Sequence, residues 1–159
     1  MRVYTLYLST QTPAGSLYAP TDATNKSIVT WYINWDNLYG SIGALDERIA
    51  RVKFQLSSLS QASIFTWAAN SGILAIQGLG NKYSNSANGL TLGSIGPLDN
   101  PVAGNPNHIM FGDTLQTAGV TLNMPYGYSP ITVLLLDRTG ALQPNTLDYQ
   151  LILQFEIES

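Results

Sequence analysis

The stretch Ser27 to Gly40, SIVTWYINWDNLYG, constrains the fold more than any other part of the chain. Val29, Trp31, Ile33 and Trp35 alternate with Thr30, Tyr32, Asn34 and Asp36. A period of two marks a strand with one buried face; a helix would spread those four apolar residues around its circumference. Two indoles on one face bring roughly 150–250 Å² of surface each. At about 25 cal/mol per Å², several kcal/mol depend on covering that face. The cover must be as wide as the face, so the strand predicts an opposing sheet or another layer of equal width. Asp36-Asn37-Leu38-Tyr39-Gly40 predicts a turn that ends it.

The same period recurs along the chain. Arg2 to Ser9 reads as a first strand with apolar groups on both faces: Val3, Thr5 and Tyr7 on one, Tyr4, Leu6 and Leu8 on the other. That pattern predicts cover on both sides, including by a neighbouring subunit. Gln11 to Lys26 reads as a loop. Ser41 to Ile49 is the one plausible helical turn, with Ser41 as its cap. Ala50 to Leu56 alternates Val52, Phe54 and Leu56 with Arg51, Lys53 and Gln55; Arg51 and Lys53 are candidates for a small basic stripe facing a partner, but read better as protection of a solvated strand edge. Ala62 to Trp67 and Ile73 to Gln77 are short strands. Gly78 to Gly104 is long and irregular, rich in Gly, Asn and Ser, with Asn88-Gly89 able to turn a protruding hairpin. Strands follow at Asn107 to Asp113, Gly119 to Met124, Ile131 to Asp137 and Leu147 to Ile157. Pro125, Gly127 and Pro130 mark a turn before the third of these. About eight strands with sandwich spacing and almost no helix give an all-β sandwich of two antiparallel sheets, occupying residues 1–159 as one domain.

Composition limits the function. The 159 residues contain no cysteine, which excludes disulfides, thiolate metal sites and cysteine nucleophiles. A net charge of −3 leaves no basic footprint for nucleic acid. Charged residues make up only 11% of the chain, against about 25% in an average soluble protein. Ser, Thr, Asn and Gln, at 14, 14, 12 and 8 residues, supply the polarity. Such a surface loses its water at lower cost than one of Lys and Glu, which suits packing against neighbours. No targeting segment is read in MRVYTLYLST. The densest apolar run, Ile131 to Leu136, is far too short to span a membrane, and no membrane insertion is expected.

Candidate chemistry is sparse. A catalytic triad would have to use His108, the single histidine, which reads better as a hydrogen-bonded structural residue on a strand. One imidazole is too little for a histidine metal site. Asp36, Asp113 and Asp137 each lie at a strand end. There they read as turn caps, unless two of them meet as a carboxylate pair or a calcium site. Gly78-Leu79-Gly80 lacks phosphate-binding spacing. Trp31, Trp35 and Trp67 are candidates to stack on sugars, although the alternation places the first two in the core. Asn25-Lys26-Ser27 matches a glycosylation sequon and is read as chance. No catalytic, cofactor or metal residue is assigned, and no enzymatic activity is expected.

TWYINWDNLYG at 30–40, ARVKFQLSSLS at 50–60, TWAANSG at 66–72, DTLQTAGVTLNMP at 113–125 and YQLILQFEI at 149–157 together resemble a known family. They are similar to single jelly-roll capsid proteins of large icosahedral double-stranded DNA viruses, notably the minor capsid and penton-type proteins of the nucleocytoplasmic group. The resemblance follows the order of elements through most of the chain and rests on soft patterns rather than a catalytic signature. It implies two four-stranded sheets in Greek-key order. It also implies a virion protein that assembles with itself, as a pentamer or trimer, and with other capsid proteins, without cofactors or catalysis. Penton, glue between capsomers and cement beneath them all stay open as roles. The alternative from the residues alone is a carbohydrate-binding, lectin-like sandwich.

Overall fold

The computed structural model describes residues 2–11, 18–21, 24–39, 48–58, 72–81, 90–95, 110–112, 120–123, 127–137, 139–142 and 148–157. Within them lie ten strands: β1 (Arg2–Ser9), β2 (Ile28–Asn34), β3 (Arg48–Ser58), β4 (Gly72–Gln77), β5 (Gly80–Asn81), β6 (Leu90–Ile95), β7 (Met110–Gly112), β8 (Val120–Asn123), β9 (Tyr128–Leu136) and β10 (Tyr149–Ile157). One five-residue helix, α1 (Trp35–Tyr39), follows β2. The strands form two antiparallel sheets. One runs β1-β10-β3-β8-β5, with β7 also on β3; the other runs β2-β9-β4-β6. From β1 to β4 each successive strand falls in the opposite sheet, and so it does again from β8 to β10. Sequence neighbours are therefore rarely hydrogen-bonded neighbours.

The two sheets face each other across one core. Leu6, Leu8, Val52, Phe54, Leu56, Leu151, Leu153 and Phe155 come from the first sheet, and Val29, Trp31, Ile33, Leu74, Ile76, Ile131, Val133 and Leu135 from the second. The alternation seen in the sequence thus translates directly into an inner and an outer face. Trp31 and Trp35 are fully buried. Each meets an aromatic ring of β10 edge-on: Trp31 against Tyr149 at 6.5 Å between centroids, Trp35 against Phe155 at 6.0 Å. This is the favoured electrostatic geometry of aromatic pairs. The indole nitrogens also find partners, Trp31 Nε1 donating to the Ser9 carbonyl (3.2 Å) and Trp35 Nε1 to that of Ser129 (3.3 Å).

Several local expectations change. β2 stops at Asn34, and the residues after it form α1 rather than an open turn; the Asn34 side chain caps this helix by accepting from the Asn37 amide (3.1 Å). Arg48 and Ile49, expected in a helix over 41–49, pair as strand with Leu122 and Thr121; the rest of that segment lies outside the described residues. β3 is no edge, because β10 lies on one side of it and β7 and β8 on the other. The supposedly irregular 78–104 contains β5 and β6, which belong to different sheets and so do not form a hairpin with each other. The expected strand at 62–67 and the Asn88-Gly89 turn lie outside the described residues.

Pro130, expected in a turn, lies inside β9 opposite Tyr32. Trp35 N donates to Gly127 O and Leu135 N to Ser27 O, both across the β2–β9 pair. These two bonds set the hydrogen-bonding phase on odd-numbered residues, so the nitrogen of Pro130 points away from β2. On that other side β4 pairs only as far as Thr132. The missing N–H therefore costs no ladder bond, which is the condition under which strands accept proline. The chain leaving β4 passes close by: a Cβ on Gly78 would sit 2.5 Å from the Pro130 carbonyl oxygen, and Gly78 adopts φ +96°. Gly127, at φ +68°, has open space around it. Gly78→Ala is expected to destabilise by about 2 kcal/mol or more, and Gly127→Ala by only about 1 kcal/mol. Guanidinium midpoints at unchanged m-value provide the check, and equal costs would contradict the close approach.

Candidate functional site

Those residues singled out for chemistry that the structure describes serve structure. Asp36 is exposed at the start of α1, and its carboxylate accepts from the Gly127 amide (3.0 Å). Asp137 closes the turn after β9, accepting from Thr139 N (2.8 Å), Thr139 Oγ1 (2.7 Å) and Ala141 N (3.0 Å). Gly127 and Asp137 bracket the nine residues of β9, a span of about 33 Å at strand rise. Asp36 and Asp137 therefore stand at opposite ends of the sheet and do not form a carboxylate pair. Among the described residues no group of three or more acidic or histidine side chains is placed to hold a metal. His108, Asp113 and Trp67 lie outside them.

Trp31 and Trp35 are sealed from solvent and offer no face to a sugar. Asn25 Oδ1 accepts from the Ser27 amide (3.0 Å), so the sequon forms a tight turn whose serine is buried. Thr10 links strand ends: its hydroxyl donates to Asp148 Oδ1 (2.7 Å) and accepts from the Tyr149 amide (2.9 Å). Asp148 also accepts from Gln11 Nε2 and lies 3.8 Å from Lys26 Nζ. This polar clasp ties the end of β1 and the approach to β2 to the start of β10.

What the molecule presents outward is a pair of low-charge faces. On the first sheet the outward phase carries Val3, Thr5 and Tyr7 of β1, Gln150, Ile152, Gln154 and Glu156 of β10, and Lys53 and Gln55 of β3. Lys53 does not form a free basic stripe, since its ammonium is paired with Glu156 of the neighbouring strand. On the second sheet Thr30 and Thr132 share a hydrogen bond between their hydroxyls (2.7 Å). Tyr32 and Tyr128, 47% and 71% exposed, lie nearly parallel with centroids 6.0 Å apart. Gly127 and its bond to Asp36 position this tyrosine shelf. Sequence reasoning did not single it out. The available signal was the outward phase of Tyr32 within β2, but its pairing with Tyr128 needs the β2–β9 register. Farther along the same face, Ala75, Leu134 and Leu136 are buried and form a second small cluster with Ile73.

The hydroxyl of Tyr149 is buried without a hydrogen-bond partner among the described residues. Burial pushes this phenol far above the usual tyrosine range. The folded protein therefore keeps the proton where the unfolded chain, titrating near pH 10, gives it up. The resulting stability is complete below pH 10 and is lost as the pH rises above it. Tyr149→Phe is expected to leave stability at pH 7 unchanged or raised by about 1 kcal/mol. It should also flatten the alkaline loss between pH 10 and 12, at up to about 1.4 kcal/mol per pH unit. Urea melts across that range read the effect, and an alkaline slope identical to wild type would contradict it.

Comparison with family models, with curated protein sequences and with solved structures gave no match to this chain. Among the described residues no helix is long and apolar enough to cross a membrane.

Proposed function

We propose that this chain is a single jelly-roll capsid subunit that assembles with itself, and with other capsid proteins, into an icosahedral shell. The observation that carries the reading is the strand order. With the short β5 and β7 set aside, the order β1-β10-β3-β8 against β2-β9-β4-β6 fits eight strands wound as two Greek keys, which supports this reading. The order supports the sequence resemblance independently of residue identity.

The outer faces favour a structural role over a catalytic one. They carry hydroxyls, amides, aromatics and an ion pair, which cost less to desolvate against another protein surface than unpaired charges would. A shell subunit gains from many modest contacts of this kind, since closure makes them collective. On this reading the protein is a penton or other minor capsid component of the virion and needs no cofactor. The carbohydrate-binding alternative lacks support from Trp31 and Trp35, two of the three indoles that suggested it, because both are core residues; Trp67 lies outside the described residues.

Sedimentation velocity and electron microscopy of the purified protein test the proposal. Closed rings at five or three times 17.2 kDa are expected, and these should add to shells when other capsid proteins are supplied. Protein that stays at 17.2 kDa at high concentration and is not incorporated into particles would overturn it.

A further inference from the structure

β1 is the terminal strand of its sheet, pairing with β10 along Arg2 to Ser9 without a break in register. The bond from Thr10 N to Tyr149 O sets the phase of this pair. Even-numbered residues direct their backbone groups at β10, so Val3, Thr5, Tyr7 and Ser9 direct theirs at the open edge. The Ser9 carbonyl is taken by the Trp31 indole, which leaves the outward backbone groups of Val3, Thr5 and Tyr7 without a strand partner among the described residues.

Proteins normally protect such an edge with lysine, proline, a bulge or a covering segment. One edge strand of the other sheet, β2, is protected. Pro20 bridges Trp31, Thr21 N donates to Thr30 O (2.8 Å), and Thr30 N donates to Thr21 Oγ1 (3.3 Å). Between Val3 and Ser9 there is no charge, proline or bulge. Val3 and Tyr7 are instead 48% and 64% exposed.

We propose that this edge pairs antiparallel with the β1 edge of a second copy, about a two-fold axis at Thr5, joining two sandwiches through one continuous sheet. The frame is self-complementary. Centred on Thr5, Val3 lies opposite Tyr7 of the other copy, Thr5 opposite Thr5, and Tyr7 opposite Val3. Aromatic against β-branched and threonine against threonine are both favourable cross-strand pairs. The three facing pairs exchange about six main-chain hydrogen bonds, and the identical patches meet the requirement of an isologous dimer. A second copy fits this edge better than an unrelated strand, because the match lies in the chain's own sequence. The pairing goes beyond the capsid reading and does not depend on it.

The chain has no cysteine, so Thr5→Cys carries a single thiol, with Cβ atoms of opposed residues about 5 Å apart in the dimer. A short bismaleimide is expected to convert it to a species of twice 17.2 kDa on a denaturing gel. Gln154→Cys, one strand inward on the same face, puts its two thiols roughly 14 Å apart, three strand spacings, and should give several-fold less. Thr5→Lys sets two ammonium groups against each other and should shift dimer formation to several-fold higher concentration, while the thermal melt of the isolated monomer stays at the wild-type value. No cross-link at Thr5, equal cross-linking at both positions, or association indifferent to Thr5→Lys would overturn the proposal. Rings of five or three that persist without a Thr5 cross-link refute only the strand pairing. A Thr5 cross-linked dimer in a protein that forms no rings refutes only the capsid reading.

Discussion

The contact on which the two sheets depend most is that of Trp31 with Tyr149 and Ser9. Trp31 belongs to one sheet, and its ring edge meets Tyr149 of the other while its nitrogen donates to the carbonyl that ends β1. One side chain thus fixes the distance between the layers and the position where the first strand stops. Trp35 repeats the device against Phe155, with its nitrogen held by Ser129 of β9. A buried indole whose N–H has a partner contributes its full apolar area without the desolvation penalty of an orphaned donor. The aliphatic residues around it have no directional preference of their own. The aromatic pairs give the interface one arrangement, and the aliphatic residues fill the remaining space.

With the inner faces committed, the outer faces are what remains for function. They are low in charge because the chain is, and the described Lys53–Glu156 pair cancels itself. The two sheets differ at their edges. Pro20 and Thr21 cover β2, whereas β1 carries a self-matching row of backbone groups beside exposed Val3 and Tyr7. The proposed strand pairing uses this edge, uncovered among the described residues, while the stacked tyrosines form a shelf on the opposite sheet.

Much of the fold was legible because a two-residue period is a direct physical signal. β1, β4 and β10 fall where alternation put them; Leu6 and Leu8 of β1 are buried as expected, but Val3 and Tyr7 on its other face, for which cover was also expected, are exposed. The misses arose where local chemistry carries two meanings. Pro130 reads as a turn from sequence, yet it is harmless in β9 because β4 ends before reaching it. Arg51 and Lys53 read as an edge device, but β3 is flanked on both sides by strands far along the chain, β10 on one and β7 and β8 on the other. Leu90 to Ile95 was hidden by the surrounding glycines and asparagines, and its strand identity comes from β4. The apolar run Ile131 to Leu136 reads from sequence as a strand, and as too short for a membrane span; its burial on both faces, with Leu134 and Leu136 clustered on Ala75, emerges from the sheet pairing. For the candidate site, the capping roles of Asp36 and Asp137 followed from their positions at strand ends. The stacked tyrosines and the open edge required register, which no local window contains.

The face-to-face locking of the sheets by Trp31 and Tyr149 is tested most directly by a double-mutant cycle. Trp31→Leu, Tyr149→Leu and the double variant would be compared with wild type by guanidinium unfolding. A coupling of about 0.5–1.5 kcal/mol is expected for an edge-to-face pair bridging two layers. Costs that simply add would mean that the two rings do not meet and that the sheets are not joined in this way.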